Sequence, residues 1–184
     1  MPRADNIPDS PERQRALLAV ALLLTAAIAL PPILAFTVDF ASFLPMLAMA
    51  ALFGLFLPYL AWRKMDGLYE ALETLSLTIL ISFASLVLSY AGMRLNMPLA
   101  DGFLSGMDRY LGLSSIAAIE TANRYPHVNL VLAWSYASFL YQILLLPLLL
   151  CAFVSAKRAY QFMLAYVLLS AISIIASIPF PSLG

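Results

Sequence analysis

Five runs of roughly twenty apolar residues, each long enough to cross a ~30 Å hydrocarbon layer as a helix, alternate with short loops rich or poor in Lys and Arg. Such a chain has to fold with lipid as its solvent. Apolar residues make up 63% of the sequence and charged residues 11%, against roughly half and a quarter in a soluble domain, so a soluble fold is excluded. The expected class is all-α: a polytopic membrane helix bundle of five transmembrane helices. The formal charge of zero gives no electrostatic case for nucleic acid. One His and one Cys leave little for metal or cofactor chemistry, and neither a cofactor nor a metal is expected. Cys151, alone in an apolar run, reads as a small buried hydrophobe.

Met1 to Arg15 is polar, with Pro2, Pro8 and Pro11, and reads as a disordered tail. The spans follow at Ala16–Phe36, Ala41–Trp62, Leu72–Tyr90, Val128–Phe153 and Tyr160–Ile178. The first also has a rival reading as a cleaved signal peptide, against which its apolar run is long and continuous. Pro31 and Pro32 fall near the end of span one, and Pro45, Gly54 and Pro58 within span two, where neighbouring helices can satisfy the freed carbonyls. Tyr59 and Trp62 sit at headgroup level. Spans four and five contain no Asp, Glu, Lys or Arg, and Glu73 lies at the edge of span three, so no intramembrane charge is expected. A pump or ion-coupled transporter is disfavoured accordingly.

Arg3, Arg13, Arg15, Arg63, Lys64, Lys157 and Arg158 fall on one side, and Arg94, Arg109 and Arg124 on the other. The richer side is expected to be cytoplasmic, which puts the amino terminus inside and the carboxyl terminus outside, in a membrane of the bacterial inner type. The organisation is thus a cytoplasmic tail over 1–15, three spans over 16–90, an outer connection over 91–127 and two spans over 128–184.

In that connection Leu104, Met107 and Leu111 form an apolar stripe at helical spacing, with Asp101 and Asp108 off it. Gly112 is placed to end this helix in a left-handed conformation. A second short helix follows, with Ser114 or Ser115 as N-cap and a stop before Pro126. Both are expected to lie on the outer membrane surface.

Asp101, Asp108, Leu111, Gly112, Pro126, His127, Tyr136 and Gln142, then the basic turn at Lys157 and Arg158 and the ending Phe180, Pro181, Gly184, form an ordered set. In it the stretch from Asp101 to Leu183 resembles the upstream part of the type-2 phosphatidic acid phosphatase superfamily, in its inositolphosphorylceramide synthase-like branch. The resemblance implies phosphoryl chemistry on lipids at the outer face. A neutral His would attack phosphorus, a second His paired with Asp would activate it, and Arg or Lys would offset charge on the phosphoryl oxygens. Those catalytic motifs are absent, and a two-His mechanism cannot be built from His127 alone. Gly184 stands where the Pro-Ser-x-His motif would need its His. The expectation is a truncated front part, catalytically incompetent alone, with no catalytic residue in this chain.

The remaining polar positions are candidates for lipid contact: Asp101, Asp108, His127, Tyr136 and Gln142. Trp134, Tyr136 and Tyr141 either line a lipid cleft or pack between helices. Gln142 should find an amide partner on another helix, and Ala133/Ala137 and Ser173/Ser177 permit close helix approach. Membrane lipids, other transmembrane helices or a second copy are the expected partners. The alternatives are a noncatalytic membrane protein that binds lipid or a partner protein, and, less favoured, a small-solute transporter.

Overall fold

The computed structural model describes residues 10–179 apart from 96, 99 and 113. Among these residues the chain forms seven helices and no strand: α1 (Pro11–Ile33), α2 (Phe40–Trp62), α3 (Asp66–Arg94), α4 (Asp101–Tyr110), α5 (Ser115–Arg124), α6 (Pro126–Phe153) and α7 (Ala156–Ser177). α1, α2, α3, α6 and α7 are long and apolar enough to cross a membrane, as the apolar runs require. The expected ending Phe180, Pro181, Gly184 lies outside the described residues.

The long helices begin and end where local chemistry dictates. Ser10 caps α1 by accepting the Arg13 amide at 3.3 Å, and Pro11 supplies a helix-ready φ at the first position. α1 therefore starts five residues ahead of the expected span boundary, and Pro11 to Arg15 are helix rather than tail. α2 is capped by Asp39 and α7 by Ser155. Ala35 and Lys64, just past the ends of α1 and α2, adopt φ of 51° and 55°. The amide that follows each bonds a carbonyl five residues back, Phe36 to Pro31 and Met65 to Leu60, both at 3.0 Å. This closes the helix ends as glycine usually does, at the cost of a Cβ in left-handed space.

α3 is the axis of the bundle and packs against α1, α2, α6 and α7. Of its most apolar stretch 61% is buried, against 6% for α2 and α6. Ala16, Val20, Leu23 and Ala27 of α1 line one stripe of the core, meeting Leu77, Ile81, Ala84 and Val87 of α3 and Tyr160, Met163 and Val167 of α7. Phe43 of α2 closes the side, its ring edge-on to Phe83 at 5.3 Å between centroids.

α3 buries hydroxyls as well as hydrocarbon, and apart from Ser85 Oγ, which is buried without a partner, they bond inside the protein. Thr74, Thr78 and Ser82 donate to the carbonyl four residues back at 2.8 to 2.9 Å. The same side chains also meet neighbours: Thr74 reaches Cys151 of α6, and Thr78 and Ser82 reach Met163 and Tyr166 of α7. Ser76 donates to the Ala50 carbonyl of α2 at 3.0 Å. Without bulk water, this self-satisfaction is what lets a helix so rich in Ser and Thr occupy the centre.

Ala84 is fully buried where α3 faces the core. Ala84→Leu should lower stability by about 1–3 kcal/mol through overpacking, read as an earlier thermal unfolding transition in detergent.

Candidate functional site

The residues singled out in the sequence spread along α4 and α6. Asp101 opens α4 and Asp108 lies two turns on, both half-exposed. Leu104, Met107 and Leu111 are exposed, as is Tyr110 at 91%. α4 thus carries an apolar stripe that no other element covers among the described residues. Gly112 takes a φ of 69° and Ser114 caps α5 through the Ala117 amide, as their sequence context predicts. His127 is the second residue of α6 and is exposed. Tyr136 is 87% exposed farther along the same helix. Gln142 is exposed, and its amide nitrogen donates to Ser138 of its own helix at 2.9 Å rather than to another helix. Ala133, Trp134, Ala137 and Tyr141 are exposed too, because this half of α6 stands away from the α1–α3–α7 core. Packing between helices therefore does not account for these aromatics.

Two sites that the sequence reading did not single out are built more tightly. The first joins α1, α3 and α7. Arg13 grips Glu73 with two parallel bonds, Nε to Oε2 at 2.7 Å and Nη2 to Oε1 at 2.6 Å. The Tyr160 hydroxyl donates to the same Glu73 Oε2. Tyr69 accepts from Arg13 Nη2 at 3.0 Å, and its ring lies 5.7 Å from the guanidinium carbon. Glu73 is 4% exposed and Tyr160 is fully buried. A second carboxylate, Glu70, is also buried one turn earlier on α3, and its Oε1 has no hydrogen-bond partner.

Arg13, Glu70 and Glu73 thus lie within helices of membrane-spanning length. Glu73 lies seven residues into α3, which begins at Asp66, six residues ahead of the expected span start at Leu72. The polar turn stays helical because its charges are paired laterally with α1 and α7. A run-by-run hydropathy reading cannot see such pairing, although Arg13 just inside a capped helix start and Glu70 and Glu73 three apart were available as signals. Chemically the cluster is closed: both carboxylate oxygens of Glu73 and the facing edge of Arg13 are engaged with each other. It fastens three helices together.

The second is a cavity of about 490 Å³ at the opposite end of α3, walled by the α1–α2 connection and the start of α2. Its lining is mostly apolar, with Thr37, Asp39, Ser42, Tyr90 and Arg94 as the residues that carry polar groups.

Among the described residues no group of three or more His, Cys, Asp or Glu is arranged to hold a metal ion. Removing one partner from a buried ion pair leaves the other uncompensated. Glu73→Gln should thus destabilise by about 3–5 kcal/mol, and Tyr160→Phe, which removes one hydrogen bond to a charged group, by about 1.5–3 kcal/mol. Thermal unfolding of the detergent-solubilised variants measures both.

The family model of the PAP2 superfamily matches residues 102–184, the region of α4 to α7 and less than half of the chain. No curated protein and no solved structure gives a match.

Proposed function

We propose that this chain is the lipid-facing, noncatalytic part of a membrane lipid phosphatase or phosphotransferase system, of the inositolphosphorylceramide synthase-like kind. The similarity to the PAP2 superfamily over residues 102–184, in a chain with five membrane-length helices, supports this reading above all others. In it α4 and α5 lie on the outer leaflet, with the amino terminus cytoplasmic, as the bias of Lys and Arg favours. The uncovered stripe of Leu104, Met107 and Leu111 then rests among acyl chains, and Asp101, Asp108 and His127 stand at headgroup depth.

Catalysis is assigned outside these residues. In-line attack by one His with a second as its partner needs two imidazoles, and the sequence holds one, exposed and at a helix start. A metal-assisted route has no assembled ligand set among the described residues.

A second reading, in which the chain binds another membrane protein or a second copy of itself, is favoured by one observation. Ser138 and Gln142 form a polar pair on the face of α6 that stands away from the core. In hydrocarbon, the unused amide oxygen and N–H of Gln142 favour a helix that can bond them, worth about 1 kcal/mol. The transporter reading draws no support from Thr74, Thr78 and Ser82 of α3, whose hydroxyls are bonded to the carbonyls of the same helix.

The purified chain mixed with dioctanoyl phosphatidic acid should release no inorganic phosphate above a protein-free control, and His127→Ala should leave that result unchanged. Turnover that disappears in His127→Ala would overturn the noncatalytic assignment. For the second reading, Gln142→Leu should weaken any self-association seen by crosslinking in bilayers; an unchanged crosslinked fraction would remove α6 as the interface.

A further inference from the structure

We propose that the cavity between the α1–α2 connection and the C-terminal end of α3 binds a zwitterionic phospholipid with a primary amine. Its phosphate meets Arg94, its amine meets Asp39, and one acyl chain lies along the apolar wall.

The volume, about 490 Å³, falls within the ~300–1,000 Å³ of small-molecule sites. The chain builds the wall from three directions. Val87, Tyr90 and Met93 come from successive turns of α3, Phe36 and Val38 from the connection, and Phe43 from the first turn of α2. The connection is fixed in place. Leu34 and Phe36 bond back to Leu30 and Pro31 of α1, and Arg94 Nη2 donates to the carbonyl of Ala35 at 3.2 Å.

Both charges at the mouth have capacity left. Arg94 spends one of its five donors on Ala35, and among the described residues it forms no ion pair with a carboxylate. Asp39 accepts from Ser42 Oγ at 2.6 Å and from the Ala41 amide at 3.1 Å. These bonds, the Ser42 hydroxyl first, hold its carboxyl below the usual range, so it is ionised at neutral pH. An ionised carboxylate has about four acceptor positions, which leaves room for a further donor.

The pairing of charges selects the headgroup. A purely anionic head would suit Arg94 but meet the Asp39 carboxylate, and a purely cationic one would meet the guanidinium. A phosphate and an amine on one short linker satisfy both. A primary ammonium also donates hydrogen bonds to Asp39, which a trimethylated amine cannot do. Depth agrees with chemistry: the two charges sit at helix ends, and Val87 lies two turns farther into α3. The site lies within residues 36–94, outside the region similar to the PAP2 superfamily, so it stands whether or not the proposed function does.

The test is lipid retention by the full chain. Protein purified in mild detergent is equilibrated with equimolar phosphatidylethanolamine, phosphatidylglycerol and phosphatidylcholine, all with palmitoyl and oleoyl chains, and bound lipid is read by native mass spectrometry. Phosphatidylethanolamine should be retained about tenfold over each of the others, the discrimination expected of one charge-assisted hydrogen bond. Asp39→Asn keeps the cap on α2, since Asn caps as well as Asp, and should bring the ethanolamine-to-glycerol ratio to one or below. Arg94→Gln should reduce retention of all three. Equal retention of the three lipids by the unmodified chain, or an unchanged preference in Asp39→Asn, overturns the proposal. Those two measurements decide it even if Arg94→Gln fails to fold.

Discussion

A carboxylate buried between helices is costly unless a cation meets it, and Glu73, near one end of the bundle, is met by Arg13. The cost of moving an isolated charge out of water is several kcal/mol even after relaxation. Only a close, two-pronged partner and a further hydrogen bond offset it. Arg13 supplies the prongs and Tyr160 the bond. Because the three side chains come from α1, α3 and α7, satisfying one charge fixes the mutual rotation of three helices. The stripe of Ala16, Val20 and Leu23 then falls against α3 without further adjustment.

The pairing of buried polar groups, nearly complete along α3 except at Glu70 Oε1 and Ser85 Oγ, separates the two halves of the molecule. Along α3 the hydroxyls of Thr74, Thr78 and Ser82 turn back to the backbone and sideways to α6 and α7. α6 does not share this economy. Its C-terminal part buries Pro147 and touches α3 through Cys151, while its N-terminal part presents aromatic rings and the Ser138–Gln142 pair outward. One half of the protein is thus closed on itself, and the other offers a surface.

How much of this could be read from the sequence follows from the range of the interactions. Five spans and two short connecting helices were legible because hydropathy, caps and breakers act over a few residues. Gly112 and Ser114 mark the ends of α4 and α5 in the sequence as they do in the fold. The start of α3 was misplaced because Glu70 and Glu73 look like loop residues until their partners are known, and Arg13 lies 60 positions away. The cavity was hidden for the same reason: Asp39 and Arg94 are separated by the whole of α2 and α3. Gln142 was expected to find its partner on another helix, but its bond is made within its own, to Ser138.

The separations in the Arg13–Glu73–Tyr160 cluster also order events during synthesis. Arg13 is made first and must wait at the membrane surface, its long side chain reaching toward water, until α3 delivers Glu73. The carboxylate then has its cation, but its last hydrogen bond comes only with Tyr160, 87 residues later. Until α7 is made, Glu73 Oε2 therefore lacks the Tyr160 hydroxyl that it accepts from in the full chain.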